Sequence, residues 1–352
     1  MCRWRALLTL RSPLRNARTR DLSAAFGGRE SPMSRRNFDQ PSLADAFLKA
    51  YSRGGGFLED IAKTFAWSAF EVLMRPSHGS ADGAPAYPPL TMFRIVLLQQ
   101  WYGLSDPGAE EAVRDRLSFR RFCGIPLDEE TPDHSSIWRF RQRIDKLGLA
   151  EKLLAEVNRQ LDARGLIVKR GTLVDATVVS AAVKRPAFEE GQVNPRDPDA
   201  SFTVKNDTTY FGYKAHLAVD EESAIVRQAE MTSADLHDSQ RGEALIQGDE
   251  KAYYADKAYD SAALRGRLEQ LGIVDRIAYK AKRGKPLANW QVWFNKTASS
   301  VRMGVEQANA TMKNWCGMAR VRYRGLARNH CHLQFVAMAM NMKRARMLIA
   351  AA

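Results

Sequence analysis

Apolar residues recur along this chain in two rhythms, and the change between them falls near residue 165. Upstream the spacing is helical. Ile137, Phe140, Ile144 and Leu147 fall at i, i+3, i+7 and i+10, one face of a helix expected to start at Thr131-Pro132-Asp133. Residues 90–102 are apolar almost all round, the pattern of a buried helix. Between these two, a helix is expected from Asp106-Pro107 to about Phe122, with Val113, Leu117 and Phe122 inward. Asp106 suits the cap and Pro107 the first helical position. Residues 149–164 give one more helix, ended by Gly165. Residues 40–74 also read as helical, broken by Gly54-Gly55-Gly56, and residues 75–89 as a Pro/Gly linker.

Downstream the rhythm changes to short strands. Residues 171–180, G-T-L-V-D-A-T-V-V-S, form a near-continuous apolar run of the kind found in buried strands. Residues 184–209 read as a long polar loop. Strands are then expected at 210–220, 224–233, 251–259 and 276–281, with helices at 238–247, 261–271, 300–315 and 330–348. A meander followed by alternating helix and strand predicts a mixed α/β sheet with helices on its faces, preceded by an all-helical region. The expected organisation is an N-terminal extension at 1–32, a helical domain at 33–165 and an α/β domain at 166–352. The extension is Arg-rich without hydrophobic periodicity and reads as disordered, or as a spurious addition before a start at Met33.

Composition narrows the function. The 352 residues carry a formal charge of +13, which favours a polyanionic partner, nucleic acid first. No stretch approaches the ~18–20 apolar residues of a spanning helix. Cys2, Cys123, Cys316 and Cys331 are scattered without a C-x-x-C pair, as expected of reduced thiols in the cytoplasm. His330-Cys331-His332 cannot all face one ion and read as ordinary core and surface positions of a helix. Arg139, Arg141, Arg143 and Lys146 make the 131–147 helix basic. That suits either the reading helix of a helix-turn-helix or a solvated face.

Three acids stand out. Asp175 sits mid-strand with no Lys or Arg within four residues, so it is satisfied either locally, by Thr172 or Thr177, or by a hard cation. Asp256 ends the run K-A-Y-Y-A-D, at the sheet edge where α/β proteins place ligands. If the two strands are neighbours, the carboxylates meet and repel unless a cation lies between them. Arg302, Glu306 and Lys313 fall on one stripe of a helix at ~100° per residue, with Asn309 beside them. A surface ion pair would look the same.

Taken in order, L-V-D-A-T, Y-A-D-K-A-Y and R-x3-E-x6-K resemble the catalytic D-D-E set of bacterial insertion-sequence transposases, most closely the insertion-sequence family five group. The tyrosine of that group's signature falls at Ser299 here. Residues 212–216 (G-Y-K-A-H), 234–239, 321–329 and 104–124 are similar too, so the likeness runs from about Tyr87 to the end. The resemblance implies an RNase H-like catalytic domain without a large insertion before the glutamate, and a helical region that recognises terminal inverted repeats. It implies Asp175, Asp256 and Glu306 as catalytic ligands of two Mg²⁺ or Mn²⁺ ions, which cut the element ends and join the 3′-OH to target DNA. Double-stranded DNA is the implied partner and at least a homodimer the implied assembly. Arg302, Lys313, Lys257, Lys184, Arg185 and the Arg139–Arg141–Arg143 cluster are the expected DNA contacts. For Lys257 an ordinary solvent-facing position is equally compatible. A metal-dependent nuclease, or a decayed DNA-binding derivative, would share most of these residues. His216 and His237 read as strand-face and cap residues. Trp290, Trp293 and Trp315 read as core before base-stacking.

Overall fold

The computed structural model describes residue 38 and residues 56–77, 86–186, 193–205, 207–281 and 284–351. The expectations for residues 1–32 and for the Gly54-Gly55 break lie outside them, as does most of the 75–89 linker.

The helical rhythm of the first half becomes α1 (Phe57–Thr64), α2 (Trp67–Met74), α3 (Pro89–Tyr102), α4 (Asp106–Asp115), α5 (Leu117–Cys123), α6 (His134–Lys146) and α7 (Leu149–Asp162). Helix α3 is buried almost all round, as its pattern requires, and ends on Gly103 in the left-handed region. The expected single helix from Asp106 to Phe122 is two. The chain extends at Arg116, which leaves Leu117 exposed instead of inward. Ser105, not Asp106, caps α4 by accepting from the Gly108 N–H at 3.1 Å. Asp106 is drawn inward by Arg141 and Gln99. Asp133 caps α6 through the Ser136 N–H at 2.8 Å. Residues 124–133 separate α5 from α6, so the short turn expected of a helix-turn-helix is not formed.

The sheet is built around β1 (Thr172–Ser180). Strand β3 (Thr208–Asp220) pairs with it antiparallel, and β4 (Val226–Ser233) pairs antiparallel with β3. On the other side β5 (Ala252–Ala255) and β6 (Val274–Ile277) lie parallel. The order β4–β3–β1–β5–β6, three antiparallel strands and then two parallel ones, is the RNase H-like arrangement. Strand β2 (Ser201–Lys205) pairs with the start of β3, inside the stretch expected to be a loop. Residues 238–247 form two 3-10 turns, Asp238–Gln240 and Glu243–Leu245, in place of one helix. The strand expected at 251–259 stops at Ala255 and gives way to the turn Lys257–Tyr259.

Helices α8 (Ala262–Gln270), α9 (Asn289–Asn314) and α10 (Leu326–Ala351) complete the fold. Helix α9 begins well before position 300, and only a short connection separates it from β6, so no large insertion precedes Glu306. Helix α10 lies between the sheet and the N-terminal helices. Its Phe335 ring meets Phe93 at 6.2 Å, and its Ala339 carbonyl accepts from the Trp101 indole at 3.0 Å. Asn341 accepts from the Val226 N–H at 2.8 Å on its other side. The helical region and the sheet therefore share one hydrophobic core, and residue 165 marks a change of element type within it.

Candidate active site

The parallel register of β1 and β5 pairs Thr172 with Tyr253 and Val174 with Ala255, so the next step along sets Asp175 opposite Asp256. Asp256 stands where β5 ends. Its carboxylate accepts from the Lys257 N–H and turns the chain into the Lys257–Tyr259 turn. That turn is held from below. The buried His216 ring lies 3.0 Å from the Tyr259 hydroxyl and 2.9 Å from the Thr232 hydroxyl. Burial lowers the His216 pKa to about 4, so the ring is neutral at pH 7 and structural, as its strand position suggested.

Helix α9 packs closely on β1 at Gly304, opposite the Leu173 side chain. A Cβ there would stand 2.9 Å from Leu173 Cδ1. The close approach brings the stripe of Arg302, Glu306, Asn309 and Lys313 over the strand. Asn309 Nδ2 donates to Asp175 Oδ2 at 2.8 Å, so the partner of Asp175 is neither Thr172 nor Thr177. Arg302, 11% exposed at its side chain, lies 3.9 Å from Asp256. Burial raises the Asp175 carboxyl to about 6 against the pull of Arg302 and Lys205, with the Asp256 charge adding to the rise. Lys313 is lowered first by burial, then by Lys205, while Asp175 acts the other way. Lys205 thus belongs to the site's charge balance. Sequence reading missed it because it lay in a stretch taken for loop.

The expected cluster of three acids is only partly drawn together. Glu306 shares the stripe but is exposed, and among the described residues no group of three or more His, Cys, Asp or Glu is arranged to hold a metal ion. The residues nevertheless fit a hard divalent cation. Asp256 lies close enough for its charge to raise the Asp175 carboxyl further, and Asn309 Oδ1, on the amide bonded to Asp175, is buried without a hydrogen-bond partner. An all-oxygen set of this kind suits Mg²⁺ or Mn²⁺.

Other expected contacts divide. Arg141 is buried and bonded to both oxygens of Asp106, at 2.6 and 2.5 Å, and to Gln99 at 3.0 Å. The DNA contact expected there is corrected. The burial of Arg141 reflects the pull of a carboxylate on the neighbouring helix. Arg139 and Arg143 remain exposed on α6, although Arg143 also donates to the Ser77 carbonyl at 2.9 Å. Lys184, Arg185 and Lys257 are exposed, with Arg185 donating to the Thr209 carbonyl at 3.1 Å. His237 caps the turn after it, as expected. Trp315 is half-buried under the Lys343 ammonium, which lies 3.4 Å from its ring centroid. Trp290 and Trp293 are not core residues: they are 57% and 69% exposed.

An RNase H-like sheet with Asp175 on its central strand, Asp256 at the end of the next and a helix bearing Arg, Glu and Lys laid across them belongs to the polynucleotidyl transferase-type class. The particular family follows from comparison. The chain belongs to the transposase DDE domain family, whose model matches residues 167–342, and a second transposase domain model (DUF772) matches residues 45–143. Among solved structures it is similar to a pre-cleavage Mos1 transpososome, at 11% identity over 74% of this chain and 97% of that one, TM-score 0.19. It is also similar to a Mos1 transposase paired-end complex with left transposon end, at 10% identity over 81% and 95%, TM-score 0.19. Likenesses this slight carry no argument about the site.

Proposed function

We propose that this transposase serves an insertion sequence of the family five group, binding the terminal inverted repeats, cutting the element ends and joining the exposed 3′-OH to target DNA. The observation that carries the reading is one helical face that reaches both aspartates, with Asn309 bonded to Asp175 on β1 and Arg302 at 3.9 Å from Asp256 at the end of the adjacent β5. The R-x3-E-x6-K spacing supports the group assignment.

Asp175, Asp256 and Glu306 are the residues that would hold two divalent ions, Mg²⁺ or Mn²⁺. When bound, such ions activate the attacking oxygen and stabilise the leaving 3′ oxygen. Asn309 fixes the Asp175 carboxylate in one orientation. Arg302, held near Asp256, and Lys313 offer cationic groups to the phosphates flanking the scissile bond. Lys257, Lys184 and Arg185 extend that surface, and Arg139 and Arg143 on α6 serve repeat binding. Handling two element ends together calls for at least a dimer, acting in the cytoplasm where the DNA lies.

The test is a Mg²⁺-dependent cleavage and strand-transfer assay with DNA carrying the repeats that flank the gene. Glu306→Gln, Asp175→Asn and Asp256→Asn serve as controls. Cleaved ends joined to target, lost by several orders of magnitude in each variant while end binding persists, are the expected result. Cleavage without joining would make the protein a nuclease. Repeat binding without either reaction would make it a DNA-binding derivative.

A further inference from the structure

Trp290 and Trp293, both exposed, sit in a stretch with an unusual charge pattern. Between Asp275 and Glu306 the sequence contains no acid and seven Lys or Arg residues. In the fold its described residues belong to the edge strand β6, the connection after it and the N-terminal part of α9. Trp290, Val292 and Trp293 are all more than half exposed, with Arg276, Lys280, Lys285 and Lys296 exposed nearby.

This platform is anchored. Tyr279 and Asn295 exchange two hydrogen bonds, Tyr279 N–H to Asn295 Oδ1 at 2.8 Å and Asn295 Nδ2 to the Tyr279 carbonyl at 3.0 Å. The Tyr279 ring packs against Trp290 and Phe294, both at 5.3 Å. The start of α9 is thereby tied to the sheet edge, while the neighbouring Trp293 remains open to solvent.

We propose that this face binds single-stranded DNA, with an unpaired base stacked on Trp293 and the backbone tracked by Lys280, Lys285 and Lys296. The inference rests on the transposase reading above and names a second contact for its substrate. Charge decides the occupant. Asp260 and Asp275 at its border are paired to Arg265, so a second copy of this basic stretch would bring like charges together, whereas a DNA strand complements them. Trp293 precedes Glu306 by 13 positions. At ~1.5 Å and ~100° per residue, that sets it about 20 Å along the helix and about 140° around it. The face therefore holds a strand remote from the reacting phosphodiester.

The test is fluorescence anisotropy with the full chain and two probes, a labelled oligothymidylate and a duplex bearing the terminal repeats. Trp293→Ala, an exposed change, should weaken oligothymidylate binding about five- to hundredfold while leaving its salt dependence unchanged. The pair Lys280→Gln and Lys296→Gln should reduce the salt slope by about 1.4. Trp293→Ala binding within twofold of wild type would overturn the proposal. So would a shift of oligomeric state with oligothymidylate affinity intact, which would assign the face to a second copy. Wild-type protein that binds the duplex but not oligothymidylate would overturn this inference alone. Protein that binds neither would overturn the transposase reading with it.

Discussion

Asn309 on α9 donates to Asp175 on β1 at 2.8 Å across 134 positions of sequence, and its own carbonyl oxygen is buried without a partner. The amide thus orients the central carboxylate and leaves an oxygen facing the same site. Asn309→Leu should keep the fold, because the position is already packed, and lower the cleavage rate about 10–100-fold, as losses of ligand-orienting groups do. The Mg²⁺ concentration for half-maximal activity should rise with it. Unchanged Mg²⁺ dependence would remove Asn309 from the site.

Asp175 gives a pH signature. Its carboxyl is raised from 3.8 to about 6, so the stability associated with its protonated form is present below pH 4 and lost as pH rises through 6. Above pH 6 the metal-free protein carries an ionised, buried carboxylate at a cost of up to about 3 kcal/mol. Asp175→Asn should therefore raise the thermal midpoint at pH 7.5 and change little at pH 4. Added Mg²⁺ should stabilise the wild type and not the variant. A variant less stable at pH 7.5 would contradict this.

Arg141 tests the division between structural and DNA-facing cations. With its side chain 8% exposed and paired to Asp106, its loss leaves a half-buried carboxylate without its ion-pair partner, held by Gln99 alone. Arg141→Met should destabilise the fold by about 3 kcal/mol in urea titration without altering the salt slope of DNA binding. Arg139→Gln, on the exposed side of the same helix, should do the reverse.

His332 is buried on α10, 3.0 Å from Gln100 on α3, and burial lowers its pKa to about 3. A depressed histidine contributes stability above its unfolded pKa near 6.5 that is lost as pH falls towards 3. The wild type should lose about 1.4 kcal/mol per pH unit from this residue between pH 6 and 4. His332→Gln, which can still bond Gln100, should flatten that dependence. Parallel curves for both proteins would mean that the ring stays accessible to protons.

The strand carrying Asp175, the position of Asp256 at a strand end and the helical stripe at Arg302–Lys313 were legible because each is a local pattern. A near-continuous apolar run, a carboxylate closing a β-rich segment and a 100° periodicity need no knowledge of distant residues. The charge of +13 likewise pointed to a polyanion before any fold was known.

Tertiary structure decided what those patterns meet. Pairing of β1 with β5 set the two aspartates opposite each other, and α9 packed closely on β1 at Gly304. A carboxylate one helix away buried Arg141, which local periodicity had read as part of a basic face. Burial of α10 against both halves joined the helical region and the sheet through a shared core. Strand β2 drew Lys205 towards the site: its short run Phe202-Thr203-Val204 lies within a long polar stretch, and pairing with β3 makes it a strand. Trp290 and Trp293 show the converse. Apolar residue type by itself predicts burial, but beside the edge strand β6 both are more than half exposed among the described residues. Sequence fixes what a residue can do chemically; only the packing of distant elements determines which residues share a site and which of them face solvent.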